Sequence, residues 1–357
     1  MNLRPVRLEP VFDPRPWGTR TLLPLYPEKI GLRESIGEAW LTGNQCKFAD
    51  GPFAGKKLGE VWPQVPAEWA GTALANEKTF PLLVKFLFTE DKPSVQVHPH
   101  DEYAARHEAD KGGRGKTEMW YVVSARKGAE VLVGLKPGVT RESFRKSIED
   151  CTAENNLARI PMQADDAVFV PAGTAHTIGG GLVLCEIQQH SDLTYRVYDY
   201  DRRDAQGNPR TLHVDKALDV IKFGKQVGGK LDPVTIERGP ITETYLVSCS
   251  YFATERWDFH LPIGSATVPE HFDLLIFLEG SGRLEWGHAS AGVGGESAPF
   301  SASQLWLLPA ALGNYKIVPE NRTALLRTYV PSSPDEIVRR LAGQGIPKKR
   351  LSRLVFS

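Results

Sequence analysis

Short runs of β-branched and aromatic residues, broken by Gly, Pro or Asp, recur along the first two thirds of the chain: TFPLLVKFLF from Thr79, PSVQVH from Pro93, EMWYVVSA from Glu118, AEVLVGL from Ala129, DAVFVPAG from Asp166 and GLVLCEIQ from Gly181. Their length and their flanking turn residues predict β-strands. Two segments change period and predict helices. TRESFRKSIED from Thr140 has a Thr cap and Phe144 and Ile148 four apart, and VDKALDVIKF from Val214 repeats the pattern. After Lys230 the pattern returns to strands, in TETYLVSCSYFATERWDFH, FDLLIFLEGSGRLEW, SQLWLLPAALGNYKIV and TALLRTYV. The second half repeats the first in outline, since VFVPAGTAHTI and WLLPAALGNYKI share a strand, a Pro-Ala corner and a second strand. His176 in the first copy falls where Asn314 stands in the second. The expectation is a mainly β protein of two barrels, with the chemistry in a domain of residues 1–230 and a degenerate copy over 231–357.

The alternation within strands selects candidate metal ligands. Residues two apart face the same way, so Ser94, Gln96 and His98 point inward together, while Pro99 ends the strand and puts His100 in the turn beyond. By the same rule Lys116, Glu118 and Trp120 share a face, and pairing of the two strands brings Glu118 beside His98. His176, past the PAGTAH corner, completes a set of two imidazoles, a carboxylate and an amide oxygen: Gln96, His98, Glu118 and His176. That set suits Zn²⁺ with an open position, and also fits iron, manganese or cobalt. His100, His107, His260, His271 and His288 read as ordinary surface or core residues.

Composition narrows the setting. Lys plus Arg and Asp plus Glu number 43 each, so no overall field gathers nucleic acid or an anionic membrane. No run of about 18 apolar residues occurs and the start lacks the apolar core of a signal peptide, which predicts a cytoplasmic protein. Cys46, Cys151, Cys185 and Cys249 are scattered, and are expected to be reduced. No motif specifies an interface, so a monomer is expected. Against this neutral background Arg196, Arg202 and Arg203 cluster after the strand that follows the metal corner. Planar guanidinium groups there suit a phosphorylated ligand, the competing reading being a solvated loop in which they pair with Asp199, Asp201 and Asp204.

FLFTEDKPSVQVHPHDEYA, GKTEMWYVV, VFVPAGTAHTIGGGLVLCEIQQHSDLTYRVYDYDR and RTLHVDKALDVI, in that order, resemble the short bacterial form of type I mannose-6-phosphate isomerase. The resemblance implies two cupin barrels of jelly-roll type with a small helical element, one zinc ion per chain on Gln96, His98, Glu118 and His176, and a sugar phosphate as substrate. It also implies that Arg196 is catalytic, that Ser94 and Arg202 face the phosphate, and that Lys116, Glu186 and Asp192 line the site. His100, His190 and Arg202 depart from the residues commoner in the family, and the basic tail from Val338 lies beyond its motifs.

Aldose–ketose interconversion moves a proton between C2 and C1 through an enediol, and a cation beside the substrate oxygens stabilises the charge that develops. Lys116 is expected to have a lowered pKa and to act as the base, with Glu186 as its rival. Two other classes share these residues: an iron oxygenase using two His and a carboxylate, and a sugar-phosphate sensor without turnover.

Overall fold

The computed structural model describes residues 3–203, 206–225, 228–287 and 295–356. Each half pairs a seven-stranded sheet with a smaller one, and all their strand pairings are antiparallel. In the first half the large sheet runs in the order Gly229–Lys230, Ala167–Val170, Glu118–Ala125, Leu182–Gln189, Leu82–Thr89, Ile36–Trp40 and Val11–Thr19. The small sheet facing it runs Tyr195–Tyr198, Val95–Val97, His176–Ile178, Glu130–Leu135 and Leu157–Pro161.

The central strand Leu82–Thr89 explains why its sequence reads as an unbroken apolar run: it is buried on both faces. Leu82, Val84, Phe86 and Phe88 enter the core shared by the two halves, while Lys85 and Leu87 turn to a cleft between the sheets. The small sheet divides its residues in the same way. Val95 and Val97 pack outward onto the helices Arg141–Glu149 and Val214–Val220 through Phe144, Ile148, Ala217 and Leu218, leaving Gln96 to face the cleft. Thr140 caps the first of these helices, its hydroxyl accepting from the Ser143 amide. A further helix, Asp101–His107, follows the Pro99 strand end. It begins at His100, whose ring accepts from the Tyr103 amide at 3.3 Å.

In the second half, strands Leu305–Leu308 and Asn314–Pro319 are joined through the Pro309 corner as Ala167–Val170 and His176–Ile178 are joined through Pro171, from the large sheet into the small one. The long apolar stretches each fold as two strands. TETYLVSCSYFATERWDFH becomes Ile241–Ser248 and Ala253–Phe259, and FDLLIFLEGSGRLEW turns at Gly280, where φ is 95°. A division at residue 230 does not separate the sheets cleanly, because Val6–Leu8 pairs with Leu305–Leu307 in the second large sheet. Cys46, Cys185 and Cys249 are buried thiols and Cys151 an exposed one, all four free. Among the described residues no helix is long and apolar enough to cross a membrane.

Candidate active site

Strand register assembles the site. Gln96 lies opposite His176 on one neighbouring strand and opposite Arg196 on the other. Across the cleft, Glu186 lies between Lys85 and Trp120, and Glu118 opposes Gln188. The cleft, of about 310 Å³, is walled by Ser94, Gln96, Lys116, Glu186, Asp192 and Arg196 from the sequence reading, joined by Arg15, Glu38, Lys85 and Arg210.

Behind Gln96 and Lys116 of that wall, His98, Glu118 and His176 bring one ligand atom each within 4.8 Å of one another. His98 Nε2 stands 3.6 Å from Glu118 Oε2, and His176 Nε2 stands 3.3 Å from Oε1. Both imidazoles are oriented from behind: His98 Nδ1 donates to the Leu193 carbonyl at 2.8 Å and His176 Nδ1 to the Thr174 carbonyl at 2.9 Å. A carbonyl only accepts, so each Nδ1 carries the proton and each Nε2 turns a lone pair toward the carboxylate. Burial lowers both histidine pKa values, that of His176 to about 3, so both rings are neutral as metal binding requires.

His98 Nε2 and both Glu118 oxygens are buried without a well-directed hydrogen bond. Buried polar atoms are ordinarily satisfied; Oε2 has the Lys116 ammonium at 2.7 Å, and the His98 nitrogen and Oε1 left without a hydrogen-bond donor at one point fit a cation. Gln96 completes the set, its amide nitrogen 3.3 Å from His176 Nε2; turning the amide over presents Oε1 at the same place.

Around this cluster and along the cleft, charged groups are interleaved. Lys116 Nζ is 2.7 Å from Glu118 Oε2 and 3.9 Å from Glu186 Oε1. Burial alone lowers the Lys116 pKa, but the two carboxylates outweigh it and the net shift is upward, opposite to the sequence expectation. Glu186 accepts from Trp120 Nε1 at 3.1 Å, and burial raises its pKa to about 7 despite Lys116 nearby. Lys85, a buried ammonium in the middle of an apolar strand, lies 3.3 Å from Glu38, 3.3 Å from Asp192 and 4.0 Å from Glu186. Arg15 grips the Glu38 carboxylate through Nε at 3.0 Å and Nη2 at 3.2 Å.

Arg202, expected to face the phosphate, does not line the cleft. It binds Asp199 and the Lys92 carbonyl, and Arg203 pairs with Asp201, as the solvated-loop reading expects; Asp204, like His288, lies outside the described residues. His271 is a buried core histidine, 3.2 Å from Glu336 through Nε2, and Asn314 is exposed at the corner corresponding to His176.

No protein-family model matches the chain. It is 36% identical over 319 residues to the probable mannose-6-phosphate isomerase GmuF of Bacillus subtilis, covering 88% of this chain and 96% of that protein. The chain belongs to the mannose-6-phosphate isomerase family. Another family member from Bacillus subtilis, the mannose-6-phosphate isomerase ManA, is 35% identical over 327 residues, covering 89% of this chain and 96% of its own. The crystal structure of the mannose 6-phosphate isomerase from Bacillus subtilis superimposes with a TM-score of 0.80 at 32% identity, over 91% of this chain and 99% of that one. The family fold therefore extends through the second half, beyond the reach of the site motifs.

Proposed function

We propose that this chain is a metal-dependent isomerase interconverting mannose 6-phosphate and fructose 6-phosphate through an enediol, on the first of two cupin barrels. The observation that carries the reading is the buried His98–Glu118–His176 cluster lying, in a chain of this family, directly behind Gln96 and Lys116 of a cleft also lined by Arg196, Arg210 and Lys85. Gln96, His98, Glu118 and His176 would hold the ion, Zn²⁺ being the best match to a nitrogen-rich set with one carboxylate. When bound, it supplies positive charge beside the substrate oxygens. The second barrel carries no such group among its described residues and serves as scaffold.

The chain's own groups divide the proton chemistry. Glu186 projects into the cleft with a pKa near neutrality, so it can take the C2 proton and return it to C1. Lys116 is a cation at the same cavity and stabilises the developing enediolate oxygen. Trp120 orients the Glu186 carboxylate through its indole N–H.

The test is conversion of mannose 6-phosphate to fructose 6-phosphate by purified protein, before and after chelation and with zinc added back. Turnover lost on chelation and restored by zinc is expected. Binding of the sugar phosphate without conversion would assign a sensor instead, and oxygen consumption dependent on ferrous iron would assign an oxygenase.

A further inference from the structure

The cations around the cleft differ in how completely they are neutralised. Arg15 is paired with Glu38 and Asp13, and Lys85 is surrounded by Glu38, Asp192 and Glu186. Those two are balanced by the carboxylates beside them. At the other end, Arg196 donates from Nη1 to the Thr211 carbonyl at 2.9 Å, which carries no net charge, and its buried Nε has no hydrogen-bond partner. Beside it stand Arg210 and Arg202, with the single buried carboxylate of Asp199 between them.

The two arginines on Asp199 are placed differently. Arg202 is spent on the protein: Nε donates to the Asp199 carbonyl at 3.2 Å, Nη1 to the Lys92 carbonyl at 2.6 Å and Nη2 to Asp199 Oδ1 at 2.9 Å. Its guanidinium also covers the Tyr200 ring at 5.3 Å, and it is absent from the cleft wall. Arg210 is on that wall, with Ser94 and Arg196. Its Nε donates to Asp199 Oδ2 at 2.6 Å and its Nη2 to Oδ1, which fixes the plane of the fork while the side chain keeps 31% exposure.

We propose that Arg210, with Arg196 and Ser94, grips the substrate phosphate, and that Arg202 is a strut behind Asp199 rather than a phosphate ligand. The inference rests on the isomerase reading for the identity of the substrate, but the anion seat itself does not. Two carboxylates, the buried Asp199 and the exposed Asp91 at 3.9 Å from Arg202, stand against three guanidinium groups, and the positive excess falls at the Arg196–Arg210 end, where it suits a phosphomonoester. A fork already held in plane by Asp199 loses little freedom on meeting a second oxyanion. The seat lies one strand from Gln96, so a phosphate held there directs the sugar toward Gln96 and the His98–Glu118–His176 cluster behind it.

The deciding experiment titrates inorganic phosphate calorimetrically into the zinc-loaded full chain and measures kcat and KM for mannose 6-phosphate, in wild type, Arg210→Met, Arg210→Lys and Arg202→Met. Arg210→Met is expected to weaken phosphate binding and raise KM by roughly tenfold to a hundredfold, with kcat changed far less. Arg210→Lys keeps the charge but not the fork, and should recover part of that loss; it also carries the test if Arg210→Met fails to fold. Arg202→Met should weaken phosphate binding less than Arg210→Met does. A larger loss in Arg202→Met than in either Arg210 variant would overturn the assignment, as would a wild type that binds no phosphate. If the wild type binds phosphate through Arg210 yet turns over no sugar phosphate, the seat stands and the isomerase reading fails.

Discussion

Burial acts on Glu186 and Lys116 in opposite directions, and the neighbours decide the outcome. For Glu186 burial prevails and the pKa rises from 4.5 to about 7; for Lys116 the carboxylates of Glu118 and Glu186 prevail over burial and hold the proton on. The acidic limb of kcat/KM should therefore fall near pH 7, where Glu186 ionises. Glu186→Gln should lose that limb together with about a hundredfold or more of activity, read from pH–rate profiles of the two enzymes. Stability carries the same information with the sign reversed. Between pH 4.5 and 7 the native carboxyl holds a proton that the unfolded one has released, so stability falls as pH rises through this window. The metal-free Glu186→Gln protein should consequently melt above wild type at pH 8, by an amount that fades toward pH 4.5, and equal melting temperatures at pH 8 would show that the carboxyl is not strained. Lys116→Met removes a cation but no ligand. It should lower kcat by roughly a hundredfold while metal content, measured by atomic emission, stays near one per chain. Retained activity in Lys116→Met would leave the bound ion as the main positive charge at the enediolate.

The segment carrying Lys116 and Glu118 is held by an element that sequence patterns did not announce. Asp101, at the start of the helix Asp101–His107, accepts from the Gly115 amide at 2.7 Å and from Gln189 Nε2 at 3.0 Å. Gln189 Oε1 accepts in turn from the Thr117 amide at 2.8 Å, and Tyr251, from the second half, donates to Asp101 Oδ2 at 2.6 Å. Asp101→Ala should thus lower kcat and metal affinity together and cost about 1–3 kcal/mol of stability, whereas Asp101→Asn, which keeps an acceptor at Oδ1, should recover most of the metal affinity. Equal metal affinity in Asp101→Ala and wild type, by competition with a chelating dye, would refute the strap. Gln96, His98, Glu118 and Trp120 were legible because alternation has a strict period of two, and His176 because proline and glycine mark the corner before it. Lys85 carried a fainter mark, one charge inside an eight-residue buried strand, which a strand flanking a polar cleft accommodates. Arg15, Glu38 and Arg210 were not legible, since they meet the cleft through long-range pairing or from a polar loop without a period. The helix at Asp101 is too short for periodicity, although Asp101 and Glu102 at its start and Arg106 and His107 at its end complement its dipole.

At the scale of the whole molecule, the repeat visible along the chain suggests two independent domains, and the packing argues for one cooperative unit. The largest buried cluster joins Val84, Phe86, Phe88 and Ile187 of the first half to Leu246, Phe272, Leu274 and Leu326 of the second. Val6–Leu8 completes the second large sheet from the first residues of the chain, and Trp62 and Phe80 meet Phe272 edge-on or tilted at 5.4 and 5.1 Å. A chain of residues 1–230 alone would expose the apolar face of Leu82–Thr89 to water, at about 25 cal/mol for each Å² uncovered, and would leave Val6–Leu8 unpaired. Such a fragment should aggregate or remain unfolded. The intact protein should unfold in one transition, with loss of activity, tryptophan fluorescence and heat absorption coinciding. The bound ion adds to the stability of that single unit, because it meets a preformed seat only in the native state; a hundredfold excess over its dissociation constant contributes about 2.7 kcal/mol. Added zinc should therefore raise the whole transition rather than split it, and His176→Ala should abolish the rise. Two resolved transitions, with zinc moving only one, would instead make the first half an autonomous domain carrying the site by itself.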